Sequence, residues 1–279
     1  RSDYGQLLLR LTPTKAHPQP GWFLLPEDGR GYPFLSIPSK LAGCSVLVLE
    51  DHGVREEKLP IDSLLDTWST DLDVRFILQQ DQSARAEGTM RVTDTQGPLL
   101  RERILEAEPS QRSQIARQIL GSLVPGLNIS EWDFIDLEKR GAPFELKFLG
   151  SIPGFVKGTG TQKGCRLRIQ PMRMASALGT SERIWPLVFR LINRSRWHVE
   201  LDCNGLFELE YGPVSSTVQR EGYTYNFQVA KSANTLSITR FVEIAGLWLE
   251  PEELPEFLEI AGKHEQEEKR AVRLIPLTQ

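Results

Sequence analysis

Two stretches in the last third of the chain alternate apolar and polar residues with period two. Trp197, Val199, Leu201 and Cys203 alternate with His198, Glu200 and Asp202, and Tyr223, Tyr225, Phe227 and Val229 alternate with Thr224, Asn226 and Gln228. Successive side chains of a strand point to opposite faces, so each stretch predicts a strand with one face in a core and one in water. Ala84, Ala86, Gly88, Met90 and Val92 do the same against Arg85, Glu87, Thr89, Arg91 and Thr93, with small residues on the apolar side. Turn residues at Glu221-Gly222 and Ser232-Ala233-Asn234 separate the later strands. The pattern predicts a mainly β (α+β) fold made of antiparallel, sandwich-like modules.

The period changes to a helical one between Leu99 and Leu123, where Leu100, Ile104 and Leu105 are followed by Ile115, Ile119, Leu120 and Leu123. Pro109 fits the first turn of a second helical segment and Pro125-Gly126 stops it, which predicts a two-part helix. Further strands are expected at Trp132 to Leu137, Phe144 to Leu149 and Cys165 to Ile169. A last helix is expected from Glu252 to Arg270, with Leu254, Phe257, Leu258 and Ala261 on one face and the charged run Lys263 to Arg270 as a solvated face. A chain of 279 residues at ~100–200 residues per domain accommodates two modules, placed at 61–180 and 181–279. Residues 1–60 are rich in Pro and Gly, with short apolar runs at Gln6 to Leu11, Trp22 to Leu25 and Ser45 to Leu49. They read as a strand-containing remnant that needs a neighbour to bury its apolar residues. The start at Arg1-Ser2-Asp3, without methionine, suggests a processed product or a piece of something longer.

Charge and composition exclude several function classes. The net charge of −4 supplies no global positive field for phosphates, so nucleic acid is not an expected partner. No apolar run approaches the ~18–20 residues that cross a bilayer, so a soluble protein without a transmembrane segment is expected. Cys44, Cys165 and Cys203 are far apart and form no CxxC, which reads as buried thiols; no metal and no cofactor is expected. Unpaired cysteines favour reducing surroundings.

Candidate chemistry is sparse. His264-Glu265 begins like HExxH, but position 268 is Glu, so the second imidazole a zinc site needs is missing. Gly158 to Gly164 is glycine-rich but has the spacing GxGxxxG and leads into a strand, which predicts a hairpin loop more readily than a phosphate cradle. His198, Glu200 and Asp202 project from one strand face and are candidates for metal or acid–base work, although a polar face turned to water explains them as simply. Cys203 and His198 fall on opposite faces and make no nucleophile pair. Trp132 and Trp185, and also Trp248, are candidate exposed aromatic residues for a surface role, although such tryptophans more often belong to a core than to a binding surface.

The order of features resembles the C-terminal, β-rich region of bacterial multidomain transglutaminase-like proteins. Three segments carry the resemblance. Gly21-Trp22-Phe23-Leu24-Leu25-Pro26-Glu27-Asp28, with Tyr32-Pro33-Phe34 and Leu41-Ala42-Gly43-Cys44-Ser45-Val46-Leu47-Val48-Leu49, is similar to the end of the papain-like core. The strand Ala84 to Val92 and its helical region resemble the next module, and Pro251-Glu252-Glu253-Leu254-Pro255-Glu256-Phe257 resembles the closing segment. The resemblance places Leu25 where the family has its catalytic Asp, and implies that the nucleophilic Cys and the His would lie before Arg1. It implies export to a periplasmic or secreted location, against the reading from the cysteines. No catalytic residue is assigned. The expected role is a non-catalytic interaction or scaffolding region whose partner is a protein chain or a preceding domain. The alternatives are a substrate-positioning accessory to a transglutaminase-like protease or acyltransferase, and a carbohydrate- or peptide-binding sandwich.

Overall fold

Each alternating stretch becomes a long strand. The computed structural model describes residues 8–11, 15, 21–24, 44–50, 53–59, 69–93, 96–139, 142–160, 162–167, 174–178, 183–189, 193–211 and 214–277. Strands β1 (Leu8–Leu11) and β2 (Gly21–Leu24) form one antiparallel ribbon, and β3 (Ser45–Glu50) and β4 (Gly53–Lys58) another. Next come β5 (Ser69–Leu78), β6 (Ala84–Thr93), helices α1 (Gln96–Glu106) and α2 (Pro109–Leu123), and strands β7 (Asn128–Ile135) and β8 (Phe144–Ile152). The hairpin β9 (Val156–Thr159) and β10 (Gln162–Cys165), the short helix α3 (Met174–Leu178) and β11 (Leu187–Phe189) lead to β12 (Asn193–Asp202). Then follow β13 (Phe207–Glu210), β14 (Val214–Arg220), β15 (Tyr223–Ser232), β16 (Thr235–Ile244), β17 (Leu247–Leu249), helix α4 (Leu254–Glu268) and β18 (Val272–Pro276).

The fold is mainly β. Its centre is an eight-stranded sheet in the order β14-β15-β16-β12-β5-β6-β8-β7. Every pairing in it is antiparallel except β5 with β12, which run parallel from Ser69–Arg194 to Ile77–Asp202. That pairing joins the segments 61–180 and 181–279 into one sheet, so residue 180 does not separate two sheets. On the inner face, Leu72, Val74, Phe76 and Leu78 of β5 continue the rows of Trp197, Val199 and Leu201 on β12. Gly88 of β6 falls on this face by alternation with Ala86 and Met90, and there is no room for a side chain there, because a Cβ would meet the Asp73 carbonyl and lie 2.8 Å from the Phe148 ring.

Helices and a second sheet pack on the inner face and contribute to one core, to which Met174 of α3 and Leu247 and Leu249 of β17 also belong. Helices α1 and α2 lay Ile104, Ile115 and Leu120 on it. The break at Pro109 matches the expectation, and the Glu108 N–H at the start of α2 donates to Gln111 Oε1 at 3.1 Å. The four-stranded sheet β13-β18-β10-β9 adds Val156, Cys165, Phe207, Leu209, Val272 and Leu274, and the Phe155 ring stands 5.2 Å from Phe76. Helix α4 adds Leu254, Phe257 and Ala261. The glycine-rich stretch forms the β9–β10 hairpin; the expected strand at Cys165 to Ile169 lies instead at Gln162–Cys165, paired with β18. No described helix is long and apolar enough to cross a membrane.

Candidate functional site

The outer face of the central strands carries His198, and its neighbours follow from the register. His198 on β12 lies beside Asp73 on β5 and Thr239 on β16. Its Nδ1 is 3.1 Å from Asp73 Oδ2 and its Nε2 is 3.2 Å from Ser237 Oγ. Carboxylate, imidazole and hydroxyl therefore stand in the order by which a base withdraws a hydroxyl proton. Acyl transfer also needs donors aimed at a developing oxyanion. The backbone around Ser237 is committed on both sides, because β16 pairs with β12 and with β15 along its whole length. The side chains of His198 and Asp73 are 43% and 71% exposed, so water, not a low-dielectric wall, surrounds the array.

The structure parts His198 from Glu200 and Asp202. Arg75 takes both carboxylates, through Nε to Glu200 Oε1 at 2.9 Å and a terminal nitrogen to Asp202 Oδ2 at 2.7 Å. Asp202 Oδ1 also accepts the Asn204 N–H at 2.8 Å, fixing the turn after β12. Among the described residues no group of three His, Cys, Asp or Glu side chains is placed to hold a metal ion. Trp132 is half-buried, its ring 5.0 Å from Phe134 at the margin of the core. Trp185 is 78% exposed. Leu25 lies outside the described residues.

A second polar cluster lies on the inner face, under α4. The alternation of β16 puts Leu236, Ile238, Arg240 and Val242 on one side, so Arg240 enters the core between Trp197 of β12 and Phe227 of β15. Its guanidinium lies 3.8 Å from the Trp197 ring centre and donates to Glu268 Oε2 at 2.9 Å. Glu268 reaches this position because helical spacing carries the buried stripe Leu254, Phe257 and Ala261 onward through His264, Glu265 and Glu268. The charged run at the end of α4 is thus only partly a solvated face: His264, Glu265 and Glu268 turn inward, and the sheet offers partners to His264 and Glu268. The Tyr225 hydroxyl donates to Glu268 Oε1 at 3.2 Å, the His264 ring stacks on Tyr225 at 3.7 Å, and Tyr223 Oη is 3.4 Å from His264 Nδ1.

Burial sets the protonation of this cluster. It pushes the His264 imidazole from 6.5 down to about 4, so the ring is neutral near neutral pH. Burial first, and then the Glu268 charge, push both Tyr223 and Tyr225 phenols upward, so they act as hydrogen-bond donors. Cys165 and Cys203 are buried thiols, each pushed by burial to about 12, which makes them poor nucleophiles. The signal for the inner cluster was an arginine in the apolar phase of a strand and a glutamate in the apolar phase of a helix.

Two ribbons expose large apolar side chains: β3–β4, at Leu47, Leu49 and Val54, and β11–β17. Val188 pairs with Trp248 across the second. Leu247 and Leu249 are fully buried, so Val188 and Trp248 face outward, at 37% and 54% exposure. Ile184 and Trp185 precede the ribbon at 85% and 78% exposure. The Trp248 indole N–H donates to Glu250 Oε1 at 2.8 Å. No family model matches this chain, and neither a curated protein nor a solved structure matches it.

Proposed function

We infer that the chain is a non-catalytic contact unit within a larger transglutaminase-like protein or assembly. The observation that carries this reading is the outward pair Val188 and Trp248 on the β11–β17 ribbon, with Ile184 and Trp185 exposed in the segment just before it. Large apolar side chains grouped at the surface mark contact sites, and tryptophan is the residue most enriched where contacts are strong. The ionisable groups support the same reading. Arg75, Glu200 and Asp202 satisfy one another, and Arg240 and Glu268 are sealed under α4. The partner in this reading is the papain-like core implied by the resemblance.

Site-specific photo-crosslinking in the full-length native protein tests it. A benzophenone side chain at position 248 is expected to give adducts with that core, while one at the solvent-facing Lys139 gives none. Equal labelling from both positions, or adducts confined to residues 1–279, would sink the reading. The exposure of Trp185 and Trp248 favours one alternative, a carbohydrate or peptide stacked on the indole rings. Binding by the isolated chain that Trp185→Ala abolishes would carry that alternative, and silence across a broad glycan and peptide panel would remove it.

A further inference from the structure

The eight-stranded sheet has two edges, and they are built differently. β7 at one end carries a bulge between Ile129 and Glu131 and exposed acids at Glu131 and Asp133. Bulges and charges are the devices that stop a sheet edge from pairing with another chain. The edge strand β13 of the smaller sheet has its own device, since Lys231 Nζ donates to the Leu209 carbonyl. β14 carries no bulge and no acid or Lys along Val214-Ser-Ser-Thr-Val-Gln-Arg220; its one charge, Arg220, is held by Glu253, it keeps register with β15 throughout, and among the described residues it is the terminal strand of the sheet.

The register of β14 also fixes which of its backbone groups face outward. The two-residue loop Glu221-Gly222 makes Arg220 and Tyr223 the hydrogen-bonded closing pair. From there the pattern alternates, so Val214, Ser216, Val218 and Arg220 direct their N–H and C=O groups to β15. Ser215, Thr217 and Gln219 direct theirs away from the sheet, and the side chains of all three are exposed.

We propose that β14 pairs antiparallel with β14 of a second copy of the chain about a two-fold axis at Thr217, joining two eight-stranded sheets into one. In that register Thr217 exchanges both backbone bonds with its own counterpart, and Ser215 exchanges both with Gln219. Every outward donor and acceptor of the strand finds a partner, which is the self-complementarity a two-fold interface requires. The side-chain pairs raise no opposition. Val218 meets Ser216, and Arg220, already held by Glu253 Oε1 at 3.0 Å, meets Val214. Val214 and Val218, half-buried on the core side, lose their remaining exposure. The pairing rests on the β14 edge and not on the β11–β17 surface, so its failure leaves the proposed function standing.

The test is sedimentation velocity on the full chain and on charge variants at position 217. The wild type is expected to form a dimer that dissociates on dilution. Thr217→Pro removes only an outward N–H and spares the bonds to β15, so it is expected to be folded by circular dichroism and monomeric. Thr217→Lys and Thr217→Glu each place like charges opposite one another at the axis. Each alone is expected to weaken the dimer about tenfold or more, and an equimolar mixture of the two to restore it as a heterodimer. A wild type that stays monomeric at the highest soluble concentration overturns the proposal. So does a Thr217→Pro chain as dimeric as the wild type, or a Lys/Glu mixture that associates no better than its components, because either result places the interface elsewhere.

Discussion

The inner and outer faces of β12 and β16 carry similar chemistry and differ in what that chemistry is worth. Each holds an arginine with carboxylate partners and a histidine beside a hydroxyl: Arg240, Glu268, His264 and Tyr223 inside, Arg75, Glu200, Asp202, His198 and Ser237 outside. The side chains of Arg240 and Glu268 are 4% and 0% exposed, whereas that of Arg75 is 44% exposed. Inside, each ion has lost its hydration and depends on its partner, so the pair ties α4 to one register on the sheet. Outside, water competes for every group, so the same kinds of contact mainly solubilise the face. A triad-like order of atoms thus arises on the outer face, open to water.

The largest expected effect would come from Arg240→Met, which leaves the Glu268 carboxylate buried without its cation; a loss of about 3–5 kcal/mol in urea denaturation is expected. A loss no larger than that of an exposed pair would erase the distinction between the faces. Next is acid sensitivity. Because the folded-state value of His264 is depressed from 6.5 to about 4, the unfolded chain binds more protons between those values. The stability contributed by the neutral ring is therefore complete above 6.5 and declines as pH falls toward 4, by about 3 kcal/mol in total. His264→Gln should flatten that part of the pH profile, and an unchanged profile would count against the stacked, desolvated ring. On the outer face, Arg75→Ala should cost less than ~1 kcal/mol, and His198→Ala a similar amount. The smallest effect is expected from Trp248→Ser on the exposed ribbon, within about 0.5 kcal/mol in stability, leaving any loss of contact as the measurable consequence.

Much of the fold was legible where local pattern and burial coincide. The alternations at Trp197 to Cys203, Tyr223 to Val229 and Ala84 to Val92 gave strands in place, and Pro109 divided the helical region as expected. β5 carries the same signal in Leu72, Val74, Phe76 and Leu78 but fell outside the strands read from sequence. Its parallel partner β12 begins more than a hundred residues later, and no local period encodes such a pairing. The candidate sites divide the same way. His198 was visible as a polar position on a strand, but its partners Asp73 and Ser237 come from strands adjacent only in the folded sheet. Reading the end of α4 as a solvated face weighed residue type over phase, and phase decided the position of Glu268. Trp132 and Trp185 looked alike in sequence; alternation on β7 takes the first toward the core, while Trp185 sits outside any strand.

Paired double-mutant cycles test the contrast most directly, one on Arg240 and Glu268 using Met at both sites, the other on Arg75 and Asp202 using Ala. Measured by urea denaturation, the inner pair should show a coupling above about 3 kcal/mol, with the Met/Met chain recovering most of the stability lost by Arg240→Met alone, and the outer pair less than ~1 kcal/mol. Equal couplings, or a Met/Met chain no more stable than Arg240→Met, would contradict the claim that burial alone separates the two faces of this sheet.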